Sequence, residues 1–90
     1  MKIVINKCYG GFSLSNKAFI QYKELGGKSS SYYEIERNEP LLVQVVEELG
    51  KESWGSCAEL KVVEIPDDVQ WTIEDYDGIE SVHEVHRVWR

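Results

Sequence analysis

The chain holds two cysteines, two prolines and one methionine in 90 residues, and no basic stretch leads into an apolar one. Cys8 and Cys57 are too few for the disulfide framework of a small secreted domain, so both are expected to be thiols in a reducing cytoplasm. The longest apolar run falls far short of the roughly 18 residues that a membrane-spanning helix needs, so no membrane partner is expected. Neither G-x-G-x-x-G nor G-x-x-x-x-G-K-[ST] occurs, and no known cysteine-enzyme pattern surrounds Cys8. With no catalytic or metal motif, the expectation is a protein that is not an enzyme and uses no cofactor.

What is present fits one small domain. A hydrophobic content of 42% over residues 1–90 supports a single, thin core. A domain of this size buries only about 60–65% of the surface its unfolded chain exposes, so homo-oligomerisation is one route to further stability. The net charge of −6 conceals a split, with +4 over residues 1–33 and −10 over 34–90. An acidic total argues against a nucleic-acid partner, because phosphate contacts depend on Lys and Arg. It leaves room for a local basic pocket.

The apolar, β-branched run Ile3-Val4-Ile5 predicts an interior strand over Lys2–Asn6, buried on both faces. Ser15 reads as an N-cap whose hydroxyl accepts from the amide near Ala18, with Leu14 stapled to Phe19. The helix it opens runs over 16–25, with Ala18, Phe19, Tyr22 and Leu25 at helical spacing, and stops at Gly26-Gly27. Tyr32–Glu36 reads as a short extended segment. Pro40 marks the first turn of a second helix, with an apolar stripe of Leu41, Leu42, Val45, Val46 and Leu49, and Gly50 ends it as a left-handed cap. Strands are predicted over 59–65, 69–76 and 79–89, the last two joined by the hairpin turn Asp77-Gly78. The last is contested, because Ile79, Val82, His86 and Trp89 also fit helical spacing. The fold expected is α+β: two layers, with two helices on one face of a small mixed sheet and a C-terminal β-hairpin.

Between the first strand and first helix lies Lys7-Cys8-Tyr9-Gly10-Gly11-Phe12. Glycines remove Cβ bulk and a helix start presents unpaired N–H groups, so this loop suits an anion, with Lys7 and Lys17 adding charge. It equally suits a tight strand-to-helix turn that needs two flexible residues. Tyr9 and Phe12 could stack on a nucleobase or anchor the core. Cys8 is placed where a nucleophile activated by a distant histidine could sit, or where a small buried hydrophobe is wanted. His83, His86 and Arg87 form the basic cluster of the acidic half. On a helix the two histidines would share a face and could hold a metal with Glu80 or Glu84; on a strand they would not. The acids Glu64, Asp67, Asp68, Glu74, Asp75, Asp77 and Glu80 could imitate a phosphate array or form a solvated face.

The opening residues 1–15, from Met-Lys-Ile-Val-Ile-Asn through Cys8-Tyr9-Gly10-Gly11-Phe12, resemble a family of small proteins common in phage and prophage genomes. The resemblance extends through Glu36–Pro40, Val45–Gly50, Leu60–Pro66 and Tyr76–Arg87, and so over most of the chain. It implies a setting rather than residue roles: a phage-associated protein in the cytoplasm of a bacterial host, where evasion of host defence is a common task. Combined with the residues, it gives an expected function. That function is non-enzymatic sequestration of a small anionic ligand, such as a nucleotide-derived immune signal, by Lys7, Cys8, Tyr9, Gly10, Gly11, Phe12, Arg37, His86 and Arg87. The alternative is a protein inhibitor that meets a host defence enzyme through its acidic face.

Overall fold

Ile3, Val4 and Ile5 are all fully buried, and they divide the core between them. In the computed structural model, which describes residues 1–84 and 88–89, they lie on strand β1 (Lys2–Asn6), so their side chains alternate between its two faces. Val4 faces an apolar cluster built by helix α1 (Asn16–Glu24), helix α2 (Pro40–Leu49) and Leu60. Ile3 and Ile5 face a second cluster with Val63, Ile65 and Val82. The expected interior strand is therefore present, with helices on one face and the C-terminal strands on the other.

Both helices begin where their caps dictate. The Ser15 hydroxyl accepts the Ala18 amide at 3.1 Å, and Glu39 does the same for Leu41 and Leu42 ahead of Pro40. Gly50 ends α2 at positive φ (56°), but its ψ of −127° departs from the left-handed cap expected, and a 3-10 turn over Gly50–Ser53 follows. Tyr32–Glu34 is likewise a 3-10 turn rather than extended, because Ile35 donates back to the Tyr32 carbonyl.

The class is α+β with a C-terminal hairpin, and the strands divide into two antiparallel sheets rather than sharing one mixed sheet. Strand β2 (Leu60–Glu64) pairs with β1, Val4 opposite Val62. Strand β3 (Thr72–Tyr76) pairs with β4 (Ile79–His83), and β4 with β5 (Val88–Trp89). β3 starts at Thr72, later than the alternation from Val69 predicts, since Val69 and Trp71 pack on the second cluster from outside the strand. Within the segment 79–89, Ile79–His83 and Val88–Trp89 are strand, with β5 antiparallel to β4, while Glu84 lies outside both strands. Asp77 (φ 53°) and Gly78 (φ 92°) form the tight turn that the hairpin requires.

One polar node keeps the sheets apart. Odd residues of β1 bond to β2, as Lys7 does to the Glu59 carbonyl, so the amides of Val4 and Asn6 point to the opposite edge. There Val4 N–H donates to the Arg37 carbonyl at 2.9 Å, and Asn6 N–H donates to the Glu80 carboxylate at 2.8 Å. Glu80 comes from β4, on the same face as Val82. Its carboxylate takes the place that a third strand's carbonyl would occupy.

Candidate functional site

The glycine loop is built around Asn6, which is fully buried at the end of β1. Its side-chain amide donates to the carbonyls of Cys8 and Gly78, both at 2.6 Å, and its Oδ1 accepts from the amides of Glu59 (2.9 Å) and Cys8 (3.3 Å). One asparagine thereby ties the loop to the hairpin turn and to the entry of β2. Gly10 and Gly11 both take positive φ, 115° and 90°. A Cβ on Gly78 would stand 2.5 Å from the Gly11 nitrogen and 2.7 Å from that of Gly10. The hairpin turn thus fills the space in front of those nitrogens.

The α1 N-terminus is also occupied. Ser15 Oγ donates to the Glu52 carbonyl at 2.6 Å, Ser15 N–H donates to Ser53, Leu14 bridges Trp54, and Lys17 pairs with the Glu52 carboxylate at 3.2 Å. Glycine loop and helix start do not converge on one open point, because the turn covers the first and the 50–54 segment covers the second.

Arg37 does reach the loop. Its guanidinium lies over the Phe12 ring, 3.7 Å from the centroid, and Phe12 tilts in turn against Tyr32. Both ends of the guanidinium grip Glu80, Nη1 at 2.6 Å and Nη2 at 2.9 Å, and Nη1 also approaches the Val4 carbonyl. The pair is deep, with the Glu80 side chain 4% exposed and that of Arg37 22%. Such a fork is strong and directional. It leaves Arg37 and Phe12 as structural partners, with the arginine's charge already matched.

Of the other expected residues, Cys8 is half-buried and Cys57 exposed, both as free thiols. Tyr9 is 65% exposed. His86 and Arg87 lie outside the described residues. His83 bonds through Nε2 to Ser81 Oγ at 2.7 Å. Lys7 is half-buried, and its ammonium has no partner among the described residues. It lines an open cavity of about 310 Å³ with Tyr76, Ile79, Glu80 and Ser81. The sequence reading missed the last four as lining residues. The Asp77-Gly78 turn was the available sign, since it sets Tyr76 opposite Ile79.

A larger cavity of about 510 Å³ lies between α2 and the start of β1, but its lysine is spent. Lys2 pairs there with Glu47 at 2.9 Å, which raises the lysine pKa above its ordinary value through that hydrogen bond and charge. Among the described residues no three His, Cys, Asp or Glu side chains cluster closely enough to hold a metal ion, and no helix is long and apolar enough to cross a membrane. The chain matches no known protein family, no curated protein and no solved structure.

Proposed function

We propose that this protein is a non-enzymatic binder that sequesters a compact, nucleotide-like anion at the cavity of Lys7, Tyr76, Ile79, Glu80 and Ser81, where the Glu80 carboxylate is already matched by Arg37. The observation that carries the reading is Lys7, a half-buried residue whose ammonium has no partner among the described residues, in one cavity with Tyr76, an aromatic left 77% exposed. A cation recognises the phosphate, an exposed ring accepts a base or ribose face, and a hydroxyl such as that of Ser81 orients the ligand. The acids Glu74, Asp75 and Asp77 surround the hairpin tip, so among the described lining residues of the cavity Lys7 alone carries positive charge. This disfavours polyphosphates and favours a ligand with few charges. In the phage setting that the opening residues suggest, such a ligand is a nucleotide-derived signal of host immunity.

Calorimetric titration with cyclic nucleotides and ADP-ribose derivatives, together with mass spectrometry of whatever heat releases from the freshly purified protein, tests this. Binding by one of these ligands is expected, weakened by about tenfold or more in Lys7→Ala and Tyr76→Ala. No heat from any ligand and no co-purified nucleotide would sink the reading, as would undiminished binding by Lys7→Ala.

A further inference from the structure

The two sheets treat their edges differently. The second edge of β1 is closed by the Arg37 carbonyl and the Glu80 carboxylate. The order β3-β4-β5 leaves β3 at the side of its sheet, and among the described residues nothing bonds its outer edge in this way. Its register follows from the turn: a two-residue loop makes Tyr76 and Ile79 a hydrogen-bonded pair, so Thr72, Glu74 and Tyr76 direct their backbone groups to β4. Ile73 and Asp75 then direct theirs outward, where no described residue bonds them. Thr72, Glu74, Asp75 and Tyr76 are exposed, and the Glu74 and Asp77 carboxylates have no partner among the described residues.

The geometry points to this edge as a docking site for a basic, extended peptide segment, which adds a strand beside β3. Backbone pairing with Ile73 and Asp75 supplies the hydrogen bonds, and Lys or Arg side chains meet Glu74, Asp75 and Asp77. Charge selects this occupant over a second copy of the chain. Antiparallel pairing of two β3 strands would bring the acids of one against those of the other, and like charges across a strand pair are destabilising. The same acids that block self-pairing attract a segment of opposite sign. The site is separate from the Lys7 ammonium and stands whether or not a nucleotide binds there.

The test uses the full chain labelled with nitrogen-15 and a short synthetic peptide alternating lysine with threonine, with glutamate replacing lysine in the control. Bound lysine peptide is expected to slow amide exchange at Ile73 and Asp75 by about tenfold or more, with smaller changes at Thr72 and Glu74, whose amides already face β4. The double variant Glu74→Lys, Asp77→Lys is expected to lose most of that affinity while its circular dichroism stays unchanged. Binding without slowed exchange at Ile73 and Asp75, equal binding of the glutamate peptide, or protection of these amides by concentrated protein alone would each overturn the assignment.

Discussion

Glu80→Ala removes a side chain that joins β4, β1 and Arg37. The substitution deletes a bidentate ion pair, leaves the buried Asn6 amide without an acceptor, and strands a guanidinium that is 22% exposed. Breaking a buried pair from one side costs about 3–5 kcal/mol, and partial access of Arg37 to water places this case at the lower end. The orphaned Asn6 N–H offsets part of that relief, since an unsatisfied buried donor costs about 1–3 kcal/mol. A loss of about 3 kcal/mol results, against a total of about 5–13 kcal/mol for a domain of this length. In urea, with a slope near 1–1.5 kcal/mol per molar for so small a domain, the midpoint should fall by about 2–3 M. Glu80→Gln is the informative companion. It keeps an acceptor for Asn6 and the volume but loses the charge, and should cost about half as much. A midpoint for Glu80→Ala within about 0.5 M of the parent, at unchanged slope, would refute the view that this carboxylate fastens the hairpin to β1.

Three further outcomes follow from local geometry. Gly78→Ala should destabilise by about 2–4 kcal/mol in the same melts, because it needs both positive φ and a Cβ inside contact distance of Gly10 and Gly11, whereas Gly11→Ala meets no atom and should cost only about 1 kcal/mol of backbone strain. Ser15→Ala should cost about 1–2 kcal/mol by thermal or urea unfolding, since it loses the cap to Ala18 and the bond to Glu52 together. Glu47→Gln should return the raised Lys2 pKa toward its ordinary 10.5, read by NMR titration of the ammonium. The raised value means that the pair's contribution is complete below the unfolded lysine pKa and disappears as pH climbs through the folded one; an unmoved titration would refute the pairing.

Local chemistry was readable from the sequence, and long-range polar pairing was not. Ser15 and Pro40 announced their helices because capping depends on neighbours three residues away or fewer. Ile3-Val4-Ile5 announced a doubly buried strand because no polar residue interrupts it, and Asp77-Gly78 announced its turn through the φ values it permits. Arg37 and Glu80 lie 43 positions apart, and nothing local separates Glu80 from the other acids near it. Only its alternation with Val82 hinted that it faces inward. Asn6, a polar residue closing an apolar strand, was the clearest unused sign, since a buried amide must satisfy both its donors and its acceptor. Alternation misplaced the start of β3 because Val69 and Trp71 are half-buried by packing rather than by pairing.

The glycine pair gains its meaning from that node. A Cβ on Gly78 would stand 2.5–2.7 Å from the Gly11 and Gly10 nitrogens, so close approach demands glycine on the turn, while on the loop Gly10 is demanded by its approach to Cys57 and Gly11 by its positive φ alone. Those nitrogens then face protein. Arg37, the cation the loop would need as an anion cradle, is committed to Glu80 as part of the same construction. The ligand surface proposed above uses residues that the node does not: Lys7, just beyond β1, and the exposed ring of Tyr76, which line one cavity. The glycine loop and the proposed binding surface are therefore adjacent but distinct, and Lys7→Ala separates them, because it removes the lysine's charge while leaving every bond of Asn6, Arg37 and Glu80 in place.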